Sequence, residues 1–166
     1  MSGTRTVCRI CGRPCGDEGT FTIDGKLVCA HCLFGDEPPI TLYPIGTVRR
    51  DTAPGGPDTA STDELCRIEL HPGQRPFLYG LDEESRLTVI YYLHRAGPVK
   101  TVFPRKLDGK LVGVFASRTP HRTSRIAVQD VELVAVKNTT LYVRGLDAND
   151  GSPVLDIKLA MSPKTD

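Results

Sequence analysis

The chain has 166 residues and a formal charge of only +1, long enough for one ordinary domain with its own core plus something small, and too neutral to be a polycation throughout. It has no run of about 18 apolar residues, which argues against a membrane-spanning helix, and its first residues, MSGTRTVC, lack the apolar core of a secretory signal. The expected location is therefore cytoplasmic, where paired cysteines hold metal more often than they form disulfides.

The first element is metal-like. Cys8-Arg9-Ile10-Cys11 and Cys29-Ala30-His31-Cys32 are two CxxC knuckles at the separation expected of a four-cysteine structural zinc site. Each knuckle turns two thiolates toward one ion, and zinc takes four such ligands tetrahedrally. Between them, Thr20–Ile23, Asp24-Gly25 and Lys26–Val28 read as a hairpin, because Asp-Gly supplies the positive φ angles of a two-residue turn. So short a stretch buries too little apolar surface to fold alone, and metal would supply the missing free energy. Cys15 and His31 are spare donors, read as loop and helix-edge residues. The module is expected to be zinc-ribbon or treble-clef-like and to span residues 1–38, ending in the linker Gly35-Asp36-Glu37-Pro38-Pro39.

Residues 39–166 read as a mainly β domain, a small antiparallel barrel. Ile40–Val48 is apolar and β-rich, and residues 49–61 (RRDTAPGGPDTAS) form a turn-rich loop. Leu65–Leu70 is a short strand in which Cys66 acts as a buried small hydrophobe. One helical turn is expected within Arg75–Ser85, and Leu87–Leu93 (LTVIYYL) reads as a buried strand ending at His94-Arg95. Between His94 and Arg125 eight Lys or Arg residues face one Asp, a formal +7 that suits a polyanionic partner. Leu111–Ala116 is a short apolar run that stops before Pro120. Ile126–Val136 and Leu141–Arg144 are strands, the Gly- and Asp-rich turn GLDANDGSP follows Arg144, a last strand begins at Val154, and Ser162–Asp166 reads as a frayed tail.

Two stretches resemble a known family. Gly113-Val114-Phe115-Ala116-Ser117-Arg118-Thr119-Pro120 is similar to a GVFATRSP-type element, and Leu146-Asp147-Ala148-Asn149-Asp150-Gly151-Ser152-Pro153-Val154-Leu155-Asp156-Ile157-Lys158 to an LDxxDGTPVLDIK-type ending. Both are carried by the TsaA-like, or TrmO, tRNA methyltransferases, and the likeness covers about residues 40 to 159. It departs where the family carries an RPNPIG-type run and this chain reads Arg122-Thr123-Ser124-Arg125-Ile126-Ala127, and where a PRQP-type loop is missing after Ile45-Gly46.

The resemblance implies a β-barrel homodimer that binds S-adenosylmethionine without a Rossmann turn and methylates N6 of a modified adenosine beside the tRNA anticodon. Carried over by position, the cofactor contacts are His94, Arg95, Arg118, Val128, Asp150, Gly151 and Ser152. Arg118 can clamp a carboxylate, Gly151 admits close backbone approach, and Asp150 can accept from an amine or a ribose hydroxyl. Arg122 and Arg125, on a loop expected to be unpinned, are read as facing the nucleic acid. No residue stands out as the catalytic base; Glu132, His94 and His121 are the options. A catalytically degenerate RNA-binding module, or a methyltransferase acting on something other than tRNA, are the alternatives.

Overall fold

The computed structural model describes residues 7–16, 19–51, 64–105 and 107–161. In chain order they form β1 (Thr20–Ile23), β2 (Lys26–Cys29), the short helix α1 (Ala30–Phe34), β3 (Gly46–Arg49), β4 (Cys66–Leu70) and β5 (Arg86–Tyr92). There follow β6 (Val102–Pro104), β7 (Leu111–Gly113), β8 (Ile126–Lys137), β9 (Thr140–Arg144) and β10 (Pro153–Leu159). Most of the turn-rich loop read at 49–61, from residue 52 on, and the tail read at 162–166 lie outside the described residues. Among the described residues no helix is long and apolar enough to cross a membrane.

Contacts divide the chain into two compact units, Met1–Thr41 with Ala96–Arg125, and Leu42–Arg95 with Ile126–Asp166. Residues 96–125, which the sequence reading grouped with the barrel, thus cluster with the amino-terminal residues. The physical reason is Val99, which is buried in one small apolar cluster with Cys8, Ile23 and Val28.

In the first unit β1 and β2 pair antiparallel from Thr20↔Cys29 to Ile23↔Lys26. Asp24 (φ 48°) and Gly25 (φ 74°) make the turn, both in the left-handed region that two-residue hairpins require. Phe21 packs edge-on against Phe34 of α1, with ring centroids 5.2 Å apart. β6 and β7 form a second, separate hairpin.

The second unit is a closed antiparallel barrel in the order β10-β3-β4-β9-β8-β5. Alternation builds its core: Leu87, Val89 and Tyr91 of β5, Cys66, Ile68 and Leu70 of β4, and Leu141 and Val143 of β9 all point inward. Val48, Val131, Leu133, Leu146, Ala148 and Val154 complete it. Register shifts in β8 between Leu133 and Ala135, and in β10 between Val154 and Asp156, bend the strands as closure requires. β8, at twelve residues, pairs first with β5 and then with β9.

β3 is shorter than its apolar sequence suggests. Pairing begins only at Gly46, while Ile40, Leu42 and Tyr43 are exposed. Gly46 leaves no room for a side chain against β4, since a Cβ there would lie 2.5 Å from the Glu69 carbonyl oxygen and 2.8 Å from Leu70 Cα. In place of one helical turn in 75–85, two 3-10 turns form at Pro72–Leu78 and Leu81–Glu83.

Candidate functional site

One end of the barrel gathers His94, Arg95, Val128, Asp150, Gly151 and Ser152. Because the strands are antiparallel, β5 and β3 end where β8 and β10 begin. His94 and Arg95 follow β5, and Asp150, Gly151 and Ser152 precede β10, so the pairing of Tyr91 with Val154 brings the two groups together. Ser152, only 2% exposed, places its Oγ 3.2 Å from His94 Nδ1. Gly151 has φ 81°, and a Cβ there would sit 3.8 Å from His94 Nε2. Glycine therefore satisfies the positive φ, and an added Cβ would come into ordinary contact with the imidazole. Val128, opposite Ile90 in the β5–β8 pairing, is 52% exposed. Arg95 is exposed and His94 half-buried.

The residue that fixes this end is one the sequence reading passed over. Arg50 follows β3, and its side chain is 4% exposed. Its Nε donates to the Ala148 carbonyl at 2.7 Å and its Nη2 to the Leu146 carbonyl, while its backbone N–H donates to Asp150 Oδ1 at 3.0 Å. One cation thus braces the loop that carries Asp150 and Gly151. The signal available in sequence was parity: Gly46 and Val48 face inward, and Arg50 continues their alternation.

Further bonds hold the same loop. Gly151 N–H donates to the Val48 carbonyl at 2.9 Å, and Val48 N–H to that of Ser152 at 2.9 Å. Tyr91 Oη donates to the Asp147 carbonyl at 2.9 Å. Burial, reinforced by the Asp147 charge and opposed by Arg50, pushes the Tyr91 phenol up to about 12. Burial likewise raises the Cys66 thiol, as expected of a cysteine acting as a core hydrophobe.

Arg118, Arg122 and Arg125 belong to the first unit. Arg118 is exposed, and β7 ends five residues before it, with a 3-10 turn at Val114–Ala116 between. The loop beyond it is not unpinned, contrary to the sequence reading. Arg122 Nε donates to the Thr119 carbonyl at 3.0 Å, and its Nη2 to those of Ser117 at 2.7 Å and Val114 at 3.4 Å. Arg122 is therefore the staple of the loop, a role that exists only once the chain folds back on itself. Arg125 adopts φ 52°, a strained value for arginine, just before β8. Of the base options, His121 Nδ1 donates to the Pro98 carbonyl at 2.9 Å, and Glu132 lies 4.0 Å from Arg144 on the barrel wall.

The four sulfurs of Cys8, Cys11, Cys29 and Cys32 all lie within 4.8 Å of one another. Cys11 and Cys29 are 3.9 Å apart, close to the edge of about 3.8 Å in a tetrahedron with zinc–sulfur bonds near 2.3 Å. Cys29 N–H points at Cys8 Sγ across 3.4 Å. Backbone N–H groups of Cys11 and Cys29 lower the Cys8 thiol to about 6. Cys32, beside Cys11 and partly desolvated, is pushed up to about 12. Four thiols this close cannot all ionise unless a cation sits among them, so the donor set fits a divalent soft metal. The cluster includes neither Cys15 nor His31; the latter pairs with Asp36 at 2.6 Å.

A family model described as tRNA-methyltransferase O N-terminal domain matches residues 48–166. A tRNA (adenine(37)-N6)-methyltransferase of Mus musculus is 33% identical over 120 residues, covering 69% of this chain and 26% of the relative. A probable S-adenosyl-L-methionine-binding protein of Methanothermobacter thermautotrophicus is 39% identical over 125 residues, covering 72% and 88%. A crystal structure of TrmO from Pseudomonas aeruginosa superimposes with a TM-score of 0.57 at 27% identity, over 75% of this chain and 57% of that one. The chain therefore spans about a quarter of the mouse relative's length and just over half of the solved protein's. The cysteine knuckles lie before the matched residues.

Proposed function

Since the chain belongs to the tRNA-methyltransferase O N-terminal domain family, we propose that it binds S-adenosylmethionine and methylates N6 of a modified adenosine beside the tRNA anticodon. The observation that carries this reading is the meeting of His94 with the Asp150–Ser152 turn, where Ser152 Oγ lies 3.2 Å from His94 Nδ1 and Gly151 lies beside the ring. Polar groups held together on a braced turn suit a bound small molecule. His94, Arg95, Val128, Asp150, Gly151 and Ser152 are assigned to hold the cofactor, and Arg118 to pair with its carboxylate.

The residue chemistry supports these roles. Arg118 is an exposed guanidinium able to grip a carboxylate with two parallel bonds. Asp150 has Oδ1 engaged by the Arg50 N–H, and its second oxygen is assigned to an amine or ribose hydroxyl. Ser152 and His94 orient each other, and Val128 offers an apolar face. S-adenosylmethionine supplies, when bound, a methyl carbon on a sulfonium. The protein's task is then mainly to hold the adenine nitrogen in line with that carbon, since positioning alone can supply much of the acceleration. No side chain is assigned as base.

Arg125 is assigned to the RNA phosphates, together with the exposed cations of the 94–125 stretch. Arg122, given its three loop carbonyls, is assigned to shape that surface. The protein is read as cytoplasmic and homodimeric, with exposed Val102, Leu111 and Phe115 offering apolar surface for a second copy. The cysteine cluster is read as structural zinc.

Methyl-labelled S-adenosylmethionine incubated with the protein and unfractionated tRNA tests the reading. Label recovered in N6-methylated adenosine is expected. Cofactor and RNA binding without label transfer would instead mark a binding module, and transfer to another acceptor would move the substrate away from tRNA.

A further inference from the structure

The amino-terminal module lies outside the family match, which begins at Val48, yet it is bonded to a segment inside that match. Two short stretches connect them. Arg9 N–H donates to the Leu27 carbonyl at 2.8 Å and Cys29 N–H to Cys8 Sγ, so both knuckles are tied to β2. At the far end of the same hairpin, Ile23 forms a parallel bridge with Val99. Asp24 N–H donates to the Val99 carbonyl at 3.0 Å. The Asp24 carboxylate accepts from Thr101 N–H at 3.1 and 3.3 Å and from Thr101 Oγ1 at 2.5 Å.

From residues 98–101 the bonds run on to the loop of the GVFASRTP motif. Thr101 accepts from Val114 N–H at 3.0 Å, Lys100 N–H donates to the His121 carbonyl at 3.1 Å, and His121 returns a bond to Pro98. Ser117 Oγ and Arg122 then close residues 114–122 on themselves. Residues 98–101 form no strand beyond the one bridge, so the hairpin is their template. Among the described residues that hairpin rests on four buried apolar residues, Cys8, Ile23, Val28 and Val99, with Phe21 and Leu33 partly buried against them, too few to fold without a staple.

We propose that the four-cysteine site is a clamp for the family's own basic loop: with metal bound, the hairpin holds Val99 and Thr101 and thereby fixes residues 113–122 around Arg118. Loss of the metal releases that loop while the barrel stays folded. The proposal rests on reading the cluster as a zinc site. It makes the appended module a positioning device for a cation assigned to the cofactor, and it makes ligand affinity dependent on metal content. Asp24 is a positioning residue in this scheme, acting through Thr101.

Amide hydrogen exchange on the full chain tests it, with zinc measured in parallel. Three samples are compared with the protein as purified: protein stripped by chelator, Asp24→Gly, and Thr101→Val. Glycine accepts the φ of 48° at the turn, so Asp24→Gly removes the carboxylate and leaves the hairpin intact. Exchange at residues 99–101 and 114–122 is expected to rise at least tenfold on stripping and severalfold in either variant, with β4, β5 and β9 unchanged and zinc retained in both variants. Protein that binds no zinc even when zinc is supplied overturns the zinc reading. Stripped protein, or zinc-loaded Asp24→Gly, whose 114–122 amides exchange as before overturns the clamp and leaves the zinc reading standing.

Discussion

Replacing Arg50 by methionine keeps an apolar stem of similar length and removes the guanidinium that braces the Leu146–Ser152 loop. The side chain is 4% exposed and donates to the carbonyls of Ala148 and Leu146. Charge-assisted bonds are worth about 1.5 to 3 kcal/mol each, and removing the donor leaves two carbonyls short of a partner. Against this, the variant no longer buries a charge, which recovers part of the loss. The net expectation is a destabilisation of about 3 kcal/mol, with roughly half of that in Arg50→Lys, whose ammonium reaches fewer carbonyls. Far-ultraviolet circular dichroism through a urea titration reads it, since the chain has no tryptophan. With a slope of about 1 to 2 kcal/mol per molar for a domain of this size, the midpoint of Arg50→Met falls by about 1.5 to 3 M. Affinity for S-adenosylmethionine falls with it, because Asp150 and Gly151 ride on the braced loop. A midpoint within about 0.3 M of the parent, with unchanged exchange at residues 146–152, would refute the reasoning.

Gly46→Ala drives a Cβ into the backbone of Glu69 and Leu70, and about 2 to 4 kcal/mol of stability should be lost in the same titration. Tyr91, raised by burial to about 12, contributes stability that is complete below the unfolded value near 10 and is lost as pH rises through 12. Parent protein should therefore lose about 2 to 3 kcal/mol over that window that Tyr91→Phe does not lose, as read by denaturation at pH 9 and 12. Arg118→Ala should weaken cofactor binding about 10- to 100-fold in calorimetry, whereas Arg125→Ala should leave the cofactor alone and lower the salt slope of RNA binding by about one. Arg122→Ala should do neither selectively, and instead raise amide exchange across residues 114–119, whose carbonyls it holds.

Local signals were readable wherever one residue type decides the backbone. Asp24-Gly25 announced its hairpin, and the short apolar run Leu87–Leu93, rich in β-branched and aromatic residues, announced β5, because turn chemistry and strand-forming residue types act over a few residues. The knuckle spacing likewise announced the cluster of four sulfurs. The meeting of His94 with Asp150-Gly151-Ser152 was not legible in the residues themselves, since nothing distinguishes that stretch from an ordinary turn until the strand pairing brings His94 alongside. Long-range packing hid the rest. Val99 between Pro98 and Lys100 gives no hint that it completes a core begun at Cys8, so 96–125 could not be separated from the barrel sequence. Arg122 reads as one more cation in a basic run, and only the curl of the loop turns three carbonyls onto it. Apolar content overextended β3, because Ile40 and Tyr43 look like strand residues and yet remain exposed.

Calorimetric titration of S-adenosylmethionine into the zinc-loaded protein tests the central claim most directly. Saturable binding at one site per chain, weakened in Gly151→Ala because alanine disfavours the φ of 81° that shapes this turn and brings a methyl against His94, is the predicted result. No heat of binding at millimolar cofactor, or equal affinity in Gly151→Ala, would contradict the placement of the cofactor at this end of the barrel.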